Sequence, residues 1–267
     1  MRLDRICRIA VAVLSALLLV IYFLNPFGNV VDETVSGLAR SLLLHLIGTA
    51  IFCFVLLYLR AKVWMKPSRA AWAVFLPAMA IALNNFPWIG LISGSVRVDR
   101  PEWIWLLTLD ALFIGAFEEL AFRGTLLPLL LKKFGSTKKG FLWTVILSSA
   151  IFGLFHLLNL LEGAGIGATL LQVGYSFLIG GMCAIVYLKT GDLIACILIH
   201  GVYDLGGALV PTLGSGELWD LPTVILTVLL SVIVTAWMLY LLFQMTPIQK
   251  KEEKEETHVG RGNQGQT

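Results

Sequence analysis

The sequence predicts an all-α fold, a polytopic transmembrane helix bundle of about eight spans. Composition is the first reason: 58% of the 267 residues are hydrophobic and 14% are charged, against about 45–50% and 25% in a soluble domain. The second is run length. The apolar residues, with a mean hydropathy of +0.84 for the chain, gather into stretches of about 20 residues, enough to cross a bilayer as helix. The third is charge, because the lysines and arginines fall in alternate connections.

The first span runs from about Ile9 to Leu24 after a basic start at Arg2, Arg5 and Arg8. The run into Asn25-Pro26-Phe27-Gly28 lacks a small-residue cleavage pattern, so an uncleaved helix is expected rather than a signal peptide. A second span covers Val35 to Leu59. The third, Ala70 to Ile92, is interrupted by Asn84, Asn85 and Pro87. The fourth extends from Trp103 to Leu131, with Trp103 and Trp105 at its mouth as interfacial anchors. Spans five to eight cover Gly140 to Leu160, Ile166 to Leu188, Asp192 to Val210 and Trp219 to Phe243, with Asp192 expected to cap the seventh. This divides the chain into N-terminal helices over 1–99, a core over 100–210, a last helix over 211–249 and a disordered charged tail over 250–267.

Orientation follows from the basic residues. Arg60, Lys62, Lys66 and Arg69, then Lys132, Lys133, Lys138 and Lys139, then Lys189, follow spans two, four and six. The opposite connections hold Arg97 and Arg100. The positive-inside rule then puts both termini in the cytoplasm. The four cysteines lack CxxC spacing and read as buried thiols.

The chemistry centres on Glu118-Glu119-Leu120-Ala121-Phe122-Arg123-Gly124, inside the fourth span. Placing such ions in a bilayer costs roughly 2.5–3.5 kcal/mol each, so intramembrane ionisable groups mark function. At about 100° per residue, Glu119 and Arg123 share a helix face and can pair. Glu118 lies roughly 140° from Arg123 by the same rotation. It meets apolar and aromatic neighbours, the setting in which a general base or metal ligand is prepared. Two further motifs carry ionisable groups one turn apart from a partner. Phe152 and His156 stand at i, i+4 in the fifth span, and His200 and Asp204 do so in the seventh. Carboxylates and imidazoles from three helices can chelate a metal or activate a water beside an oxyanion site. His45 reads as a packing or hydrogen-bonding residue, Asp110 as near the outer interface, and Asn159 as a neighbour of the site or a loop cap.

Glu118-Glu119-x-x-x-Arg123, Phe152-x-x-x-His156 and His200-x-x-x-Asp204, in that order, resemble the CPBP superfamily of intramembrane proteases. That family includes the type II CAAX prenyl endopeptidases and the bacterial Abi and lysostaphin-resistance proteins. The resemblance spans roughly Trp103 to Val210. It implies an intramembrane endopeptidase in which Glu118 and His156 hold or activate a water. Glu119 and Arg123 would support the site, and His200 with Asp204 would complete it. It leaves open one divalent metal, zinc by preference, held by Glu118, His156, His200 and Asp204, or no metal at all. Position 204 departs from the prenyl proteases, which usually carry Asn there. An amide donates a hydrogen bond, whereas an ionised carboxylate only accepts. The implied partners are the bilayer of the cell membrane and a membrane-associated peptide or protein, with no nucleic acid. A catalytically silent scaffold or bacteriocin-immunity-type protein is the alternative on the same fold. A proton-relay transporter would call for paired repeats, and the sequence shows none.

Overall fold

The computed structural model describes residues 2–24, 32–61, 69–216 and 221–245. The expected tail over 250–267, and Lys62 and Lys66 among the basic loop residues, lie outside the described residues. Among the described residues, six helices are long and apolar enough to cross a membrane: Arg5–Leu24, Glu33–Leu59, Lys138–Leu161, Ile166–Thr190, Leu193–Leu213 and Leu221–Gln244. These correspond to six of the predicted spans, and the protein is a multi-pass membrane protein.

The two other expected spans are composite. The third is α3 (Arg69–Asn84), which ends at Asn84-Asn85-Phe86-Pro87 before the short α4 (Trp88–Ser93). The fourth begins as α5 (Ile104–Glu119), widens into a π-helical turn over Leu120–Leu126 and continues as α6 (Leu127–Phe134). Pro128 supplies a cause for the widening. It lacks the N–H that would close an ordinary turn onto Gly124, and Thr125 Oγ1 instead donates to Leu120 O five residues back, at 3.0 Å. Such π turns concentrate at functional sites. This one begins directly after Glu118 and Glu119.

The remaining helices are α1 (Arg2–Leu24), α2 (Glu33–Leu59), α7 (Lys138–Phe155), α8 (Ile166–Thr190), α9 (Leu193–Leu213) and α10 (Leu221–Gln244). A 3-10 segment over His156–Glu162 joins α7 to α8. Asp192 caps α9 as expected, accepting from the amides of Ile194 and Ala195. One feature is outside the all-helical expectation: a two-stranded antiparallel pair, β1 (Val96–Val98) with β2 (Gly214–Gly216), in the register Arg97↔Ser215. It lies between α4 and α5 on one side and follows α9 on the other. Together with bonds from the amides of Asp99 and Arg100 to Leu213 O, at 2.9 and 3.0 Å, it ties the start of α5 to the end of α9.

That tie matters because α5 and α9 cross with their backbones in contact. A methyl group on Gly115 would stand 3.0 Å from Gly201 N and 3.1 Å from Ile197 O. On Gly201 it would meet the Cα of Leu112 at 3.1 Å. Only glycine permits this approach at both positions. The crossing brings the carboxylates of α5 beside the imidazole of α9. Around it, the second half of α8, from Ile179 to Val186, is largely buried, while α1 and α10 turn residues such as Leu17, Leu19, Val228 and Val232 outward. Cys7, Cys183 and Cys196 are buried as expected, Cys53 is exposed, and all four thiols are free.

Candidate active site

Glu119 sits at the centre of the bundle, with 0% of its surface exposed, and Arg123 is exposed by 1%. Their predicted pairing holds: Arg123 donates to Glu119 Oε1 at 2.8 Å. The same oxygen lies 2.8 Å from His200 Nδ1. Since the carboxylate can only accept, Nδ1 carries the proton, and Glu119 fixes both the tautomer and the orientation of the ring. The other nitrogen, Nε2, then points at two carboxylates. Glu118 Oε2 stands 3.5 Å from it and Asp204 Oδ2 3.4 Å. The sequence separated the roles of the two adjacent glutamates, and the geometry divides them the same way. Glu119 is held through Oε1 by Arg123 and His200, whereas Oε2 of each glutamate is buried without a hydrogen-bond partner among the described residues.

Phe152 organises the opposite wall. It is almost wholly buried, and its ring lies under the Arg123 guanidinium, 4.4 Å from Cζ to centroid. Edge contacts run from it to Phe122 at 4.9 Å, His156 at 5.3 Å and His200 at 5.7 Å. Phe122 also meets Phe155, so the two phenylalanines are wall residues of the site. Gly180 makes the room, because a methyl group there would lie 2.8 Å from the Phe152 ring.

His156 caps α7 where the chain turns into the 3-10 segment. Its Nδ1 stands 3.1 Å from Phe152 O. A carbonyl oxygen cannot donate, so Nδ1 is the donor and the neutral ring keeps its lone pair on Nε2. That lone pair faces the site beside Ser176, whose Oγ is 3.5 Å away.

The six candidate site residues, with Phe152, therefore come to one region. Metal holding is another matter. Among the described residues, no group of three or more His, Cys, Asp and Glu side chains is arranged to hold a metal ion. The donors as placed do not fit a metal centre, so the chemistry below is derived through the side chains alone.

Three sequence expectations need correction or addition. Asp110 is 4% exposed, accepts from Ser41 Oγ at 2.9 Å and stands 3.6 Å from His45 Nδ1, partners the sequence did not give it. His45 is a hydrogen-bonding residue, as expected, with Nδ1 2.8 Å from Ser41 O, but it also belongs to this polar group. The only advance signal was the i, i+4 spacing of Ser41 and His45. Asn159 neither caps the loop through its side chain nor touches the motif residues. It donates to Gln172 Oε1 at 2.8 Å, tying the 3-10 segment to α8.

Residues 100–206 match the family model described as type II CAAX prenyl endopeptidase Rce1-like. The domain they form belongs to the CAAX-protease family. Glu118, Glu119, Arg123, His156, His200 and Asp204 all lie inside the matched segment, as does Asp110, while Ser41 and His45 precede it. No curated protein and no solved structure matches the chain. A CAAX-protease domain acts on a peptide or protein, and here its motif residues are carried on helices of a membrane bundle.

Proposed function

We propose that the protein is an intramembrane endopeptidase that hydrolyses a peptide bond of a membrane-associated substrate by attack of an activated water. The observation that supports this most is the division between the two glutamates. Glu119 Oε1 is engaged by both Arg123 and His200, while Glu118 Oε2 has no hydrogen-bond partner among the described residues and stands 3.5 Å from His200 Nε2.

Glu118 takes a proton from the water, with the lone pair of His156 Nε2 holding the same water from the Phe152 side. The water oxygen attacks the carbonyl carbon of the scissile bond. Negative charge then develops on the carbonyl oxygen, where a proton on His200 Nε2 stabilises it, the ring being aimed by Glu119. As the C–N bond breaks, Glu118 returns its proton to the leaving amine, so the products are a free carboxyl and a free amine. Asp204 lies 3.4 Å from His200 Nε2 and steadies the protonated ring. Arg123 and Phe152 hold Glu119 and the two imidazoles in place. In this reading the protein sits in the cell membrane with both termini in the cytoplasm.

Purified Glu118→Ala and His156→Ala variants are expected to insert and fold but to lose cleavage by about 10²–10⁴-fold. Peptidomics of membranes carrying the parent or Glu118→Ala supplies the substrate, and metal analysis of the parent accompanies it. Retained cleavage in either variant refutes the assignment. A scaffold on the same fold would keep its phenotype in both.

A further inference from the structure

We infer that the group formed by Ser41, His45 and Asp110 floors a water inlet to Glu118, opening at the end of the bundle where α2 begins. The inference rests on the hydrolytic reading, because only a water-consuming site needs such a path.

A cleft of about 330 Å³ lies between the first turns of α2 and the last turn of α9, lined by Glu33, Thr34, Gly37, Ser41, Pro211 and Thr212 among others. Its deepest polar residue on α2 is Ser41, two turns from the helix start. Ser41 leads inward: its hydroxyl donates to Asp110 and approaches His45 Nδ1 at 3.3 Å. His45 is one further turn down α2, and its ring centroid is 5.8 Å from that of Phe117, the residue before Glu118. Leu38, Ser41, His45, Gly48 and Phe52 recur at helical spacing along the stripe of α2 that faces α5. Gly48 lets the Phe117 ring lie against α2, since a methyl group there would stand 2.5 Å from it.

Three polar side chains in mutual contact, one lining an open cleft and another against the ring of the residue before Glu118, are not required for helix packing, which small apolar residues achieve in lipid. They do provide what a water needs on the way, namely two to four polar partners at each step. The path runs along α2, on the opposite side of α5 from the wall formed by Phe152 and His156. A substrate can therefore occupy that wall while water reaches Glu118 from behind. By the basic-loop rule the mouth opens on the face opposite Lys132 and Lys138.

Gly37 is the place to plug it, because a side chain added there meets nothing within 4 Å. In a Cys53→Ser background, His45→Cys and, as the isosteric second probe, Ser41→Cys are treated with a small membrane-impermeant thiosulfonate in vesicles of either orientation. Both cysteines are expected to react above the parent from the face where α2 begins. Adding Gly37→Phe is expected to slow them at least about tenfold, because modification requires the thiolate to meet reagent and water. Leu229→Phe, outward on α10, is expected to leave the rates unchanged. No reaction above the parent, reaction from the face of Lys132 alone, or rates indifferent to Gly37→Phe would each overturn the inlet. The labelling needs no substrate. A protein that labels as expected but cleaves nothing sinks the proteolytic reading. One that cleaves through Glu118 but does not label sinks the inlet.

Discussion

Arg123 and Arg100 each hold a carboxylate, one at the centre of the bundle and the other at its rim. Arg123 has 1% of its side chain exposed and pairs with Glu119 at 0%. Arg100 is 29% exposed and pairs with Asp32, the N-cap of α2, at 39%. The inner pair is hemmed by Phe152, His200 and the crossing of α5 on α9, with water excluded. The outer pair is solvated, and a second carboxylate, Glu102, stands 3.8 Å from the same guanidinium. In a low-dielectric interior the desolvation of each ion is large, and only a matched partner offsets it. At the rim, water and salt screen the attraction and reduce the pair to a weak local clamp. The comparison separates a pair that fixes the geometry of a reaction from one that fixes the end of a helix.

Removing the inner arginine gives the largest expected effect. Arg123→Met leaves Glu119 as an uncompensated buried carboxylate and costs about 3–5 kcal/mol, read as a lower unfolding midpoint in detergent. Glu119→Gln together with Arg123→Met should recover much of that stability, because no ion then remains unpaired. It should not recover cleavage, because His200 loses the carboxylate that aims it. If Arg123→Met alone proves as stable as the parent, the centre of the bundle is wetter than the geometry implies and the contrast with the rim disappears.

Position 204 sharpens the same contrast with a smaller change. Asp204 is 26% exposed at its side chain, intermediate between the two arginine pairs. It touches His200 only on the nitrogen that Glu119 does not hold. Asp204→Asn keeps the shape, removes the charge and gains a donor that can face an oxyanion. Cleavage is expected to stay within about tenfold of the parent, whereas Asp204→Ala should lose about 10²–10³-fold, as for removal of one stabilising group. An Asn variant as inactive as the Ala variant would make the charge at 204 indispensable.

The fold class and the six motif residues were legible because lipid makes both signals stark. Apolar runs must be helices, and ions inside them must find partners. Glu119 with Arg123 and His200 with Asp204 could be paired from helical spacing alone. What spacing could not show is contact between helices. That Glu119 would hold His200 depends on Gly115 meeting Gly201, two glycines that in the sequence resemble any others in an apolar run. The partners of Asp110 were hidden for the same reason, since Ser41 and His45 are on α2, 69 and 65 residues earlier. The break in the fourth span was equally hidden: Pro128 was visible, but a π turn rather than a helix end required the packing of Gly124 against Leu56 and Leu193.

The rim pair supplies the smallest effect and the cleanest sign. Arg100 beside Asp32, together with the amide of Val35, holds the Asp32 carboxyl below its ordinary range. A carboxyl lowered on folding contributes stability above its unfolded value, near pH 4. That contribution is lost as pH falls through the lowered folded value. The unfolding midpoints of the parent and of Asp32→Asn should therefore differ slightly at neutral pH and converge in acid. The neutral-pH difference should also shrink with added salt, because both side chains are partly exposed. A salt-insensitive difference at Asp32 would place that pair in a drier environment than the rim, and the line drawn here between the two arginines would have to move outward.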